Sequence, residues 1–171
     1  MAKTTSPHDV FVDALRNAHA MEKQALSIMQ PQLNRLEHYP EISQLLDRHI
    51  QETDVQIKRL DEILDSVGAS ASGLKDAGLS LTGSMAAIGH TLAGDEILKN
   101  TFANHAFENF EIAAYVSLIT TADLCGAGSA VSLLQQNLDE ERRMAAALHE
   151  SIDAVTRRYI SLAATGERAD I

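Results

Sequence analysis

Apolar residues recur along most of the chain at alternating steps of three and four, the period of an amphipathic helix. In the first stretch Val12, Leu15, Leu26, Met29, Leu33 and Leu36 fall on one stripe, and His19 and Glu22 fill the two places between Leu15 and Leu26. Ser6 is placed to cap this helix, Pro7 suits its first position, and Asp9 completes a capping box with Asp in place of Glu. The pattern predicts a helix over residues 7–37, with Pro31 marking a kink or an earlier break. A second helix is predicted over 40–67, opening at Pro40 and Glu41 and carrying Ile42, Leu45, Leu46, His49, Ile50, Ile57, Leu60, Ile63 and Leu64 on a broad face.

Residues 68–94 read differently, with Gly, Ser and Ala dominant and few charges; Ser84 to Leu92 could make a short helix. Periodicity returns over 95–124, where Phe102, His105, Glu108, Ile112, Tyr115 and Ile119 share a predicted core face. Gly126-Ala-Gly128 makes a tight turn, and a last helix over 129–163 carries Leu134, Leu138, Glu141, Ala145 and Leu148 inward. Thr165 to Ile171 reads as a frayed tail. Two helical hairpins joined by a long connection predict one all-α domain over 1–171, an antiparallel four-helix bundle with a crossover between helices 2 and 3.

The size, 171 residues, is enough for a real core, and the scarcity of Pro agrees with a helical chain. A net charge of −10 weighs against nucleic acid or an anionic membrane as partner and favours cations. Cys125 is alone, so no internal disulfide can form. The first residues lack the apolar segment of a signal peptide, and no apolar run is long enough to span a bilayer, so a cytoplasmic location is expected.

The chemistry lies in polar residues that interrupt the inner stripes: His19 and Glu22 on helix 1, Glu108 and Glu111 on helix 3, and Glu141 on helix 4. On helix 2, Glu52 borders the apolar face beside His49 and Gln56. In an antiparallel hairpin, residues equidistant from the turn lie at one level. Glu22 and Glu52 are centred on residue 37, Glu111 and Glu141 on residue 126, and the members of both pairs lie 30 residues apart. Each hairpin therefore offers one carboxylate per helix at mid-height.

A single glutamate on a helix is most often solvated. Four at one level inside a bundle repel each other unless protons, cations or Arg142, Arg143 or Lys23 lie between them. A divalent metal pair is the simplest compensation. A carboxylate-rich donor set without thiolate suits iron or manganese better than structural zinc. His19, His49 and His105 each precede a glutamate by three residues; His49 is favoured as a direct ligand and the others as its surroundings. Cys125 lies about four turns away and reads as packing.

The stretches Ala20-Met-Glu-Lys-Gln24, His49-Ile-Gln-Glu-Thr53 with Gln56, Glu108-Asn-Phe-Glu-Ile-Ala-Ala-Tyr115 and Leu138-Asp-Glu-Glu141 resemble the YciE/YciF-like bacterial proteins. That family belongs to the ferritin-like superfamily and is similar to rubrerythrin. The resemblance runs over about residues 8–163, with Glu108 to Tyr115 its most specific part. It implies a ferritin-like bundle, homodimers, a stress-associated role and no established activity. By matching position it implies Glu22, Glu52, Glu108, Glu111 and Glu141 as metal-site carboxylates.

The chain departs from the superfamily pattern in carrying Val55 and Met144 where Glu-x-x-His would place imidazoles, and Ala145 where relatives often have an acid. Rubredoxin-like cysteines are absent, so any redox chemistry needs an outside electron donor. The resulting expectation is a metal-binding protein holding two iron ions per chain, with manganese or zinc as alternatives. As an enzyme it would be a di-iron oxidase or peroxidase-like. The competing expectation is a structural or interaction bundle without redox chemistry.

Overall fold

The computed structural model describes residues 5–71 and 95–171. Four long helices run through it: α1 (Pro7–Leu33), α2 (Pro40–Ser66), α3 (Glu96–Leu124) and α4 (Val131–Thr165), the last preceded by a single 3-10 turn at Gly128–Ala130. Among the described residues there is no strand, and no described helix is long and apolar enough to cross a membrane. The short helix anticipated within 84–92 lies outside the described residues.

α1 begins where the chain supplies partners for its free N–H groups, whereas α2, α3 and α4 start without a side-chain cap. Ser6 and Asp9 form the reciprocal capping box at α1, and Pro7 sits at its first position. Pro31 lies inside α1 without ending it, since only the last turn follows. The helix then stops at Leu33, four residues before the expected end. Asn34 caps it, Arg35 and Leu36 turn back on Gln32 and Leu33, and Pro40 keeps Tyr39 out of helical conformation. At the other hairpin Gly126 has φ 79°, a left-handed conformation that a side chain would strain. There the Ala127 N–H donates to the Ala122 carbonyl at 2.9 Å and closes α3.

α1 packs on α2 and α3, and α4 packs on α3 and α2, leaving α1 and α4 on one diagonal. Every neighbouring pair is antiparallel. Arg35 near the end of α1 meets Glu96 at the start of α3, and Arg59 late in α2 meets Glu140 early in α4. Phe11, Leu15, Met21, Leu46, Leu60, Ile63, Leu118, Leu134 and Leu148 fill the interior between them. The inner stripe of α4 is the expected one, with Leu134, Leu138, Glu141, Ala145 and Leu148 all buried.

α3 is turned relative to expectation. Phe102 is exposed and His105, Ile112 and Ile119 are half-buried; Glu108, Glu111 and Tyr115 are buried as expected, and Ile97, Thr101, Asn104, Phe107 and Leu118 join them on the inward face. This helix is apolar around its whole circumference, so hydrophobicity did not single out a face. The segment expected to fray is pinned. Tyr39, fully buried, donates its hydroxyl to the Ala169 carbonyl at 2.5 Å, and Ile97 N–H donates to Asp170 O at 3.0 Å. Ala169 and Ile171 are buried there, because a buried phenol needs an acceptor and the hairpin end needs an apolar cover.

Candidate metal centre

The middle of the bundle is not apolar. Glu22 from α1, His49 from α2, Glu108 and Glu111 from α3 and Glu141 from α4 are each no more than 1% exposed. Ligand atoms of His49, Glu108, Glu111 and Glu141 all lie within 4.8 Å of one another. Each arrives by helical periodicity: Glu108 and Glu111 are three apart on the inner face of α3, and Glu141 continues the leucine stripe of α4.

His49 stands between the acids. Its Nε2 is 3.3 Å from Glu108 Oε2 and 3.3 Å from Glu141 Oε2, and its Nδ1 is 3.2 Å from Glu52 Oε2. Burial alone would lower the imidazole pKa, but the surrounding Glu108, Glu141 and Glu52 outweigh it and hold it well above 6.5. Loss of water raises the acids in turn. Glu108 is pushed up to about 8, chiefly by burial, with His49 acting in the other direction. Glu22 and Glu111 are raised well above the ordinary carboxyl range by burial, and then by Glu141 for the first and Glu22 for the second.

Two of the acids have neutral partners. Tyr115 donates its hydroxyl to Glu22 Oε1, and Asn137 donates to the same phenol oxygen at 2.9 Å. Gln56 donates its amide to Glu141 Oε1. Neither oxygen of Glu111 accepts a hydrogen bond, and the Oε2 atoms of Glu108 and Glu141 have only the 3.3 Å contact with His49 Nε2. Four buried carboxylates face one imidazolium, so three charges would lack compensation if all were ionised. Each such ion costs several kcal/mol in a dry interior. The chemistry of the donor set, carboxylate oxygens converging on one imidazole, fits a divalent cation.

Glu52 does not join this group. It shares the level of Glu22, but it lies off the buried His49–Thr53–Gln56 face of α2 and is 28% exposed. There it braces the outer edge of His49 and lies 3.7 Å from Arg143. The hydrogen bond from His49 holds its pKa below the ordinary value. His19 is turned away to Asp61, 3.1 Å from its Nε2, and His105 on α3 meets His149 on α4 with ring centroids 5.4 Å apart and planes tilted by 38°. The cations expected as counter-charges stay outside: Arg142 pairs with Asp139, Arg143 lies 3.7 Å from Glu52, and Lys23 is exposed. Cys125 is at the hairpin turn, its thiol donating to Ala122 O.

Tyr115, expected only as part of the core face, and Asn137, which apolar periodicity does not mark, both bond within this centre. The same level rule identifies both, since residues 115 and 137 are centred on Gly126 and interrupt apolar inner stripes. Asn137 also accepts from Arg59, which forms a two-pronged pair with Glu140 at 2.6 and 3.0 Å and closes the centre on that side.

Fold and site together define an all-α antiparallel four-helix bundle with a buried His–carboxylate cluster. The chain belongs to the family described as domain of unknown function DUF892, whose profile matches residues 6–161. It is 30% identical over 145 residues to the protein YciF of Escherichia coli (strain K12), covering 78% of this chain and 82% of that one. Among solved structures, a protein from Xanthomonas campestris pv. campestris is 27% identical with a TM-score of 0.77, covering 91% of this chain and 97% of that one. The Escherichia coli stress protein YciF shares the fold at 24% identity and a TM-score of 0.70, covering 87% of this chain and 96% of that one.

Proposed function

We propose that this chain is a ferritin-like metal-binding protein whose bundle core holds iron, two ions when filled. The observation that carries the reading is Glu111, completely buried with neither carboxylate oxygen accepting a hydrogen bond. A structural network would leave no such atom, because an unpaired buried acceptor costs about 1–3 kcal/mol or more. Glu108, Glu111, Glu141 and His49 would be direct ligands and Glu22 a terminal one on the Tyr115 side. Glu52 supports His49 through its outer nitrogen, the arrangement that fixes the orientation of a ligating imidazole. Manganese or zinc would be accommodated by the same donors less selectively.

Ferrous iron bound there would supply electrons to dioxygen or peroxide. The residues themselves hold the donor oxygens in the buried middle of the bundle and keep protons on Glu22, Glu108 and Glu111 until a cation displaces them. The name of the Escherichia coli relative supports a role in stress. The exposed Phe102, Phe110 and Val116 on α3 support a homodimer. A structural bundle without redox chemistry gains support from the Tyr115–Glu22 and Gln56–Glu141 bonds, which satisfy part of the cluster without metal.

Metal analysis of protein purified without chelator separates the two. Near-stoichiometric iron, or manganese in its place, is expected. Metal-free protein that takes up none on addition would leave the structural reading.

A further inference from the structure

A pocket of about 220 Å³ opens in the seam between α2 and α4, directly over the outer edge of His49. It is smaller than the cavities that hold drug-sized ligands, which run to about 300–1,000 Å³, so its occupant has few heavy atoms. Met144 and Ala147 form an apolar wall, His49 the floor, and Arg48, Arg143 and Glu52 the polar side.

The charge of this mouth is opposite to that of the chain, whose net charge is −10. Arg48 enters no ion pair among the described residues, and Arg143, 63% exposed, is only loosely engaged, 3.7 Å from Glu52 Oε1. The other oxygen of Glu52 is committed to His49 Nδ1. Two guanidinium groups therefore share one carboxylate, one of whose oxygens is already engaged by His49. Guanidinium forks match oxyanions in shape and charge, and a metal cation would be repelled at such an opening.

We propose that the α2–α4 pocket binds a small oxyanion of the phosphate class, gripped by Arg48 and Arg143 above His49. The anion takes Arg143 over from Glu52 and lies on the solvent side of the His49–Glu52 pair. The site goes beyond the metal reading and does not depend on it, because the gripping groups, Arg48 and Arg143, lie on the solvent side of His49.

Calorimetric titration of inorganic phosphate into the chelator-treated full chain, in low-salt buffer near neutral pH, tests the proposal. One saturable site per chain is expected. Arg48→Gln and Arg143→Gln should each weaken it by about tenfold, the value of one charge-assisted hydrogen bond at an accessible site. Glu52→Gln should tighten it severalfold by removing the internal competitor. Both arginines are exposed, so neither substitution threatens folding, and unchanged far-UV helicity checks this. Absence of saturable binding, equal heats from sodium chloride, or parental affinity in the double arginine variant would overturn the site. Metal content reports on the centre separately.

Discussion

Raising the pH of the metal-free protein should destabilise it, and lowering the pH should stabilise it, across a range where most proteins vary little. Glu108 is pushed from 4.5 to about 8 in the folded chain, so folding takes up a proton between those values. The sign follows from linkage: the folded state binds more protons than the unfolded one, and stability falls as pH rises through the window. His49 acts the same way. Its contribution is fully present below its ordinary 6.5 and lost as pH rises through its higher folded value. Glu52, held low, loses its contribution only as pH falls through its folded value, below this window.

One retained proton is worth about 1.4 kcal/mol per pH unit, so Glu108 alone gives about 2–3 kcal/mol between about pH 5.5 and about pH 7.5. At about 2–4 °C per kcal/mol for a chain of this size, the chelated protein should melt about 5–10 °C higher at the acid end. Calorimetry with and without chelator reads this directly. Glu108→Gln should remove about one proton's worth of the slope. Metal reverses the trend, since its ligands must be deprotonated and its stabilisation grows with pH. A chelated protein whose melting temperature is flat or rises from pH 5.5 to 7.5 would refute the electrostatic reasoning.

Replacing Glu111 by Ala should abolish tight metal binding while far-UV helicity persists, checked by metal titration beside circular dichroism. Tyr115→Phe removes the donor to Glu22 and leaves Asn137 facing a ring; urea melts of the chelated variant should show a loss of about 1–3 kcal/mol. Cys125→Ser should leave metal affinity unchanged, because the thiol is engaged with Ala122 at the hairpin turn.

The four helices and their antiparallel pairing are legible because the Ser6 capping box, Pro7 and Pro40 mark two starts, Gly68 and Gly126 mark two ends, and α1, α2 and α4 have one apolar face each. α3 was misread in rotation because Phe102, Phe110 and Val116 make its outer side as apolar as its inner side. The level rule placed Glu22, Glu111 and Glu141 together. It specifies height without azimuth, so Glu52 passed as inward although His49, Thr53 and Gln56 occupy the buried face of α2. The docking of Ala169 and Ile171 depends on a long-range bond from Tyr39, which no local pattern announces.

Anaerobic titration of Fe(II) into the chelated chain, in parallel with Glu111→Ala, tests the central claim most directly. Saturation near two equivalents per chain in the parent, with tight binding lost in the variant, is the expected result by the di-iron arrangement of such bundles. No saturable uptake in the parent, or equal uptake by the variant, would contradict a metal centre at the middle of the bundle.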